Sequence, residues 1–200
     1  MLKLNPLIFW FVLFFLFNSY SKENMLTSDS ISSGIYWNEG ATIAFDGHQL
    51  TGYIDNQAGE NGRFTCQFYF SGQVIGRAFD VVCRNFIDTN IVSGKVTIIT
   101  PTKFFLKTFN NPGCSDMIAS FEEKGDTISL NTPSKIKQIR IVKSEKAFFY
   151  SSSDLKTKKK AYLVKGNQAY VYELQQGWLK VTYGKISGWM HEDDMFLIGH

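Results

Sequence analysis

The chain has 200 residues, 44% of them hydrophobic and 16% aromatic, and carries a formal net charge of +3. That length suits one large or two small domains, and no nucleic-acid partner is expected, since phosphate-cradling loops and nucleic-acid-binding motifs are absent from the sequence. The charge is uneven, because residues 22–135 hold nine basic and twelve acidic residues whereas residues 136–200 hold eleven basic and six acidic ones.

The first residues have the layout of a secretory signal peptide. Lys3 supplies positive charge, Leu7 to Phe17 is an unbroken apolar run, and the small residues Ser19 and Ser21 suit cleavage after Ser21. The run is shorter than the roughly 20 residues of a membrane-spanning helix, and no longer run follows. We therefore expect a signal peptide over residues 1–21, a periplasmic or secreted protein, and no transmembrane segment in the mature chain. An uncleaved anchor is the alternative, with the same destination.

Residues 22–133 have the pattern of an antiparallel β domain, since short alternating blocks are punctuated by Gly, Asn or Asp every eight to twelve residues. Asp46-Gly47 and Ser71-Gly72 are hairpin signals, and Asp55 to Gly62 is a longer loop. This meander predicts a barrel or a sandwich. Its opening, Gly34-Ile-Tyr-Trp37, is similar to the Gly-x-Trp/Tyr start of calycin-like barrels. The predicted strands are Gly34 to Trp37, Thr42 to Phe45, Gln49 to Ile54, Arg63 to Phe70, Gln73 to Cys83, Lys95 to Thr100, Lys103 to Thr108 and Thr127 to Leu130.

Three cysteines in an exported chain predict one disulfide and one free thiol. Cys66 shares a strand face with Phe68 and Phe70, which favours a buried thiol. Cys83 closes an apolar run and Cys114 lies in a turn-rich segment, so we expect a disulfide between Cys83 and Cys114. A short helix over Ser115 to Glu123 would then plug one end of the barrel.

A second domain is predicted over residues 136–198, after a boundary at Asn131 to Ser134 where Pro133 stops strand pairing. Its blocks are a strand ending in an aromatic, a long polar loop, a Leu-x-Lys-Gly turn, a Gly-Trp-x-Lys-Val strand and a Gly-Trp-Met strand. These blocks are Ala147 to Tyr150, Ser151 to Lys160, Leu163 to Gly166, Gly177 to Val181 and Gly188 to Met190. The order resembles the bacterial SH3 family, which implies a small β-barrel, and the whole chain is therefore expected to be all-β.

The resemblance also implies a ligand surface, because SH3-type barrels bind through aromatics between the long loop and the later strands. On this sequence it points to Tyr150, Trp178, Tyr183 and Trp189. Aromatic side chains offer large, rigid contact area with a polar atom at the edge. The competing interpretation is that Trp178 or Trp189 fills the barrel core. The lysine-rich run from Lys156 to Lys160 is interpreted as a solvated loop.

Catalytic groups are sparse in the sequence. His48, His191 and His200 are its histidines, and none follows a cysteine in the order a Cys-His peptidase needs within one domain. No serine-hydrolase motif appears, and no zinc ligand set or cofactor-binding motif is recognised. Nothing selects a pair from the carboxylates that a glycosidase would use.

The sequence therefore favours a non-catalytic binding protein of the cell envelope, without cofactor or metal, whose SH3-type module recognises peptidoglycan peptide or a protein partner. The first alternative is an inhibitor or immunity protein that occludes a wall-targeting hydrolase or toxin with protruding loops at His48, Asp55 to Gly62 and Ser71-Gly72. The second alternative is a cell-wall hydrolase with an unrecognised site.

Overall fold

The structure, a computed structural model, describes residues 31–36, 40–58, 60–62, 64–85, 91–114, 121–122 and 124–196. The predicted signal peptide, Trp37 and most of the predicted Ser115 to Glu123 helix lie outside these residues. Across the described ranges the protein is all-β, and no helix there is long and apolar enough to cross a membrane.

The first eight strands form a closed antiparallel barrel in which each strand pairs with the next along the chain. The barrel closes where β1 pairs with β8, in the register Gly34 to Pro133. Gly34 is required at this seam, because a Cβ there would lie 2.3 Å from the carbonyl oxygen of Thr132. The strands are β1 (Gly34–Tyr36), β2 (Ala41–Phe45), β3 (Gln49–Ala58), β4 (Phe64–Gln73), β5 (Ala78–Arg84), β6 (Ile91–Thr100), β7 (Lys103–Thr108) and β8 (Asp126–Pro133).

Aromatic side chains occupy the barrel interior. Strand alternation directs every second residue inward, as in β6, where buried and exposed residues alternate from Ile91 to Ile98. Phe68 contacts Phe121 edge-on, with ring centroids 5.5 Å apart, and Tyr36 meets Phe104 at the same distance. All four side chains are at most 1% exposed. An eight-stranded barrel is just wide enough for such side chains to fill, and here they do so.

One predicted hairpin is wrong. Ser71 and Gly72 lie inside β4, paired with Thr51 and Leu50 of β3, and the turn to β5 comes four residues later, around Gly76. Gly72 serves close approach rather than a turn, because a Cβ there would lie 2.4 Å from the carbonyl oxygen of Asp80. The loop predicted over Asp55 to Gly62 is also shorter, since β3 continues to Ala58 and a 3₁₀ turn forms at Glu60–Gly62.

The predicted disulfide is wrong as well. Cys66 is bonded to Cys114, and Cys83 is a buried free thiol. Cys66 lies in β4 facing the barrel core, as predicted, but Cys114 forms a β-bridge directly opposite it. Asn111 holds this loop, since its Oδ1 accepts hydrogen bonds from the backbone N–H groups of Gly113 and Cys114. Alternation correctly indicated burial of Cys66 but carried no information on its partner.

The later strands form a six-stranded antiparallel sheet, called here the second sheet, in the order β11-β10-β14-β13-β12-β9. A 3₁₀ turn at Glu192–Asp194 follows β14 and returns Met195 to a bridge with Val142. Leu163, Val171, Val181 and Met190 are among the residues of its own core. The strands are β9 (Gln138–Ile141), β10 (Ala147–Tyr150), β11 (Lys158–Leu163), β12 (Gln168–Gln175), β13 (Trp178–Tyr183) and β14 (Ile186–His191).

Strand β9 joins the barrel to the second sheet, and all its residues are buried. Ile139 and Ile141 pack with Ala44 and Tyr69 of the barrel, forming an apolar cluster separate from both cores. The backbone N–H of Ile139 donates to the Thr51 hydroxyl at 2.8 Å. A sheet edge normally exposes unpaired backbone groups, and here the barrel covers that edge.

Candidate functional site

Three of the four predicted ligand residues lie together on the outer side of the second sheet. In β13, Leu179 and Val181 point into the core, so Trp178 points outward. Trp189 of β14 faces outward for the same reason, because its neighbour Met190 is in the core. Tyr150 of β10 is the register partner of Trp189. The competing interpretation of the tryptophans as core residues is wrong, since both are partly exposed and neither belongs to the core cluster.

The rings on this surface contact each other edge-on. Trp178 lies between Tyr150 and His191, with centroid distances of 5.0 Å and 5.1 Å and interplanar angles of 81° and 82°. Edge-to-face packing is the favoured arrangement of aromatic rings and fixes their orientation. A hydrogen bond also orients the imidazole ring of His191, because its Nδ1 accepts from the backbone N–H of Asp193 at 3.4 Å. The central rings are thus preorganised; Trp178 and His191 are partly exposed, whereas Tyr150 is buried and 8% exposed.

The surface extends across β10 and β11 through a second ring pair that the sequence prediction missed. Phe148 and Tyr162 are register partners with centroids 5.5 Å apart. Tyr162 is 43% exposed. The signal was present in the sequence, because Phe148 lies two residues before Tyr150 and so shares its face. We call the outward-facing set the aromatic face: Phe148, Tyr150, Tyr162, Trp178, Trp189 and His191.

Lysines surround the aromatic face. Lys158 Nζ lies 3.5 Å from the centroid of Phe148, and Lys180 Nζ lies 5.8 Å from that of Trp189. Lys146 Nζ lies 5.0 Å from the ring of Tyr162. Such cation–π contacts add to ring order. Lys158 and Lys160 are exposed, as predicted, but Lys158 to Lys160 form the start of β11 rather than a loop.

Tyr183 is the predicted ligand residue that the structure separates from the others. It is in the same strand as Trp178 but five residues away, so the pleat turns it to the opposite side. There it lines a cleft between the second sheet and the barrel, together with Tyr53 and Gln168. The odd spacing from Trp178 was the sequence signal for this separation.

The three loops predicted to occlude a hydrolase differ in how far the rest of the protein holds or buries them. The turn before His48 is tied to the second sheet, because Asp46 accepts backbone hydrogen bonds through Oδ1 and the Gln138 amide through Oδ2. Ser71 is 3% exposed within β4. Of the three candidates, the Glu60–Gly62 turn is the one at the end of a long hairpin.

Within the described ranges, no group of three or more His, Cys, Asp or Glu side chains is placed to hold a metal ion. In comparisons with known proteins, no family model, no curated protein and no solved structure matches the chain.

Proposed function

We propose that the protein is an exported, non-catalytic binding protein of the bacterial cell envelope, whose second sheet is an SH3-type module that holds a peptide on its aromatic face. The ligand is the peptide of peptidoglycan or an extended segment of a protein partner. The observation that carries the proposal is the convergence of Tyr150, Trp178 and Trp189, from three strands, on one outward-facing surface.

The chemistry of the aromatic face suits a peptide. Ring edges and faces supply contact area at low entropic cost, since the rings already constrain each other. Two lysines at its margin, Lys146 and Lys158, lie where a carboxylate-bearing peptide would meet positive charge, whereas Lys180 is already paired with Glu173 at 3.4 Å. Peptides of the cell wall carry such carboxylates, so both the rings and the charge favour this ligand class.

The test is co-sedimentation of the purified protein with peptidoglycan sacculi, with tryptophan fluorescence as a second measurement. Trp189→Ala combined with Lys180→Ala removes one ring and its neighbouring charge while leaving Trp178 packed against Tyr150. We expect binding to weaken about tenfold or more, as for central aromatic residues of other interfaces. Phe109→Ala is the matched control, because Phe109 is 55% exposed but lies on the barrel.

Unchanged binding in the Trp189/Lys180 variant contradicts the proposed site. If sacculi are not bound, the same variants are tested against extended peptides of secreted proteins from the same bacterium. A one-to-one complex with a secreted hydrolase that survives the double substitution, and is lost when the Glu60–Gly62 turn is altered, would favour an inhibitor instead.

A further inference from the structure

The cleft between the barrel and the second sheet is separate from the aromatic face. It has a volume of about 450 Å³, within the size range of small-molecule sites. Tyr53 and Gln67 contribute from the barrel, and Lys165 and Tyr183 contribute from the second sheet. Trp178 is five residues from Tyr183 along β13, roughly 15 Å away at the rise of a strand.

The cleft combines aromatic rings with side-chain amides. Tyr53 and Tyr183 are the tyrosines, and Gln67, Asn167 and Gln168 supply the amides. None of the described lining residues is acidic, and Lys165 is basic, which disfavours a cation. Amides both donate and accept hydrogen bonds, so this lining suits a ligand whose polar groups do the same.

Gln168 gives an independent indication of a ligand. Its side-chain oxygen Oε1 is buried and has no hydrogen-bond partner within the described part of the chain. A buried acceptor without a donor costs about 1–3 kcal/mol in a folded protein. Gln168 lines the cleft, so a rotation of its side-chain amide would turn this oxygen toward a hydroxyl or amide N–H bound there.

The walls of the cleft are held in place before any ligand arrives. Tyr53 is hydrogen-bonded to Gln67, and burial together with the nearby Asp55 raises the pKa of Tyr53 to about 12, so its hydroxyl stays protonated. On the opposite wall, Asn167 Oδ1 accepts from the N–H of Val164, and the N–H of Gly166 donates to the carbonyl of Val142. Preorganised walls lower the ordering cost of binding.

We propose that this cleft binds a short saccharide, a mono- or disaccharide, between Tyr53 and Tyr183. A sugar ring presents an apolar C–H face that suits tyrosine rings and a rim of hydroxyl or acetamide groups that suits the amides. One such group donates to Gln168 Oε1 once the side-chain amide has rotated toward the cleft. The inference does not depend on the proposed function of the aromatic face, because no residue of that face lines the cleft.

The experiment is an NMR titration of the mature protein with N,N′-diacetylchitobiose and with cellobiose, two disaccharides that differ in their acetamide groups. Binding should shift the backbone amide signals of Gly166, Asn167 and Tyr183. Tyr183→Ala should weaken binding about tenfold, whereas the matched control Tyr172→Ala should leave it unchanged. Tyr183 is 39% exposed and Tyr172 37%, and Tyr172 does not line the cleft.

Gln168→Met separates binding from folding, because it keeps the side-chain length and removes the unpartnered oxygen. The variant should be at least as stable as the wild type and should bind the sugar several-fold more weakly. The proposal is overturned if neither disaccharide shifts the cleft signals at concentrations on the order of 10 mM, or if Tyr183→Ala and Tyr172→Ala behave alike. Sugar binding that survives the Trp189/Lys180 double substitution keeps this site distinct from the aromatic face.

Discussion

Ile139 of β9 donates its backbone N–H to the hydroxyl of Thr51 in β3, at 2.8 Å, and neither residue is exposed to solvent. This bond connects the edge of the second sheet to the wall of the barrel. Thr51→Val keeps the side-chain shape and removes the acceptor, leaving the N–H buried without a partner. We expect the free energy of unfolding, measured by urea denaturation, to fall by about 1–3 kcal/mol.

Thr97→Val is the matched control for this substitution, because Thr97 is a partly exposed strand residue in β6, away from the junction. Its effect should stay within about 0.5 kcal/mol. Equal losses in the two variants would show that the Ile139–Thr51 bond does not stabilise the junction.

The disulfide assignment is tested by peptide mapping without reduction. The map should contain one linked pair joining the peptides of Cys66 and Cys114, with Cys83 alkylated only after unfolding. Replacing both Cys66 and Cys114 by Ala should lower the free energy of unfolding by about 2–4 kcal/mol, because the bond closes a long loop of the unfolded chain. A Cys83–Cys114 linked peptide would refute the pairing.

The Cys83 thiol should make stability fall at alkaline pH. Burial raises the pKa of Cys83 from 9.0 to about 12. Between pH 9 and pH 12 the thiol is deprotonated in the unfolded chain but protonated in the folded protein. The contribution of this thiol to the free energy of unfolding is therefore fully present below pH 9 and is lost as the pH rises toward 12. Cys83→Ala lacks this titration. Between pH 8 and pH 10 the wild type should therefore lose about 1 kcal/mol of unfolding free energy relative to Cys83→Ala. If the free energies of unfolding of the wild type and Cys83→Ala change in parallel with pH, the prediction is contradicted.

Arg140 and Glu192 form an ion pair of unequal burial. Their atoms are 2.9 Å apart, with side chains 6% and 37% exposed, and burial lowers the pKa of Arg140. Glu192→Ala leaves the guanidinium in the interior without this carboxylate and should cost about 1–3 kcal/mol. Arg140→Met removes the buried charge and should cost less. Glu173→Ala, which breaks the exposed pair with Lys180, should cost at most about 1 kcal/mol. The prediction fails if Arg140→Met is the most harmful of the three.

Strand alternation predicted the all-β class and most strands, because burial on one face leaves a period of two that local sequence reveals. It failed where a glycine had two possible uses. Ser71-Gly72 has the composition of a turn, yet Gly72 is there because β4 and Asp80 of β5 approach closely. Close approach depends on residues brought near by folding and leaves no local signal.

The candidate site was also predictable only where local sequence carries the signal. Tyr150, Trp178 and Trp189 were predicted together, and the structure brings them onto one surface. The SH3 resemblance groups Tyr183 with them, whereas its odd spacing from Trp178 assigns it to the other side of β13. The cleft it lines could not be predicted, because Tyr53 comes from a different sheet and meets it only through the junction at β9.

All four residues of β9 are buried, partly by the barrel, so neither half of the chain is expected to fold stably without the other. Cleavage of the chain between Pro133 and Gln138, followed by separation of the fragments, would expose Ile139 and Ile141 on the C-terminal fragment. It would also expose Ala44 and Tyr69 on the barrel fragment. A fusion of the C-terminal half to a different protein would therefore also expose Ile139 and Ile141. Heat or denaturant should accordingly melt the whole molecule in one cooperative step.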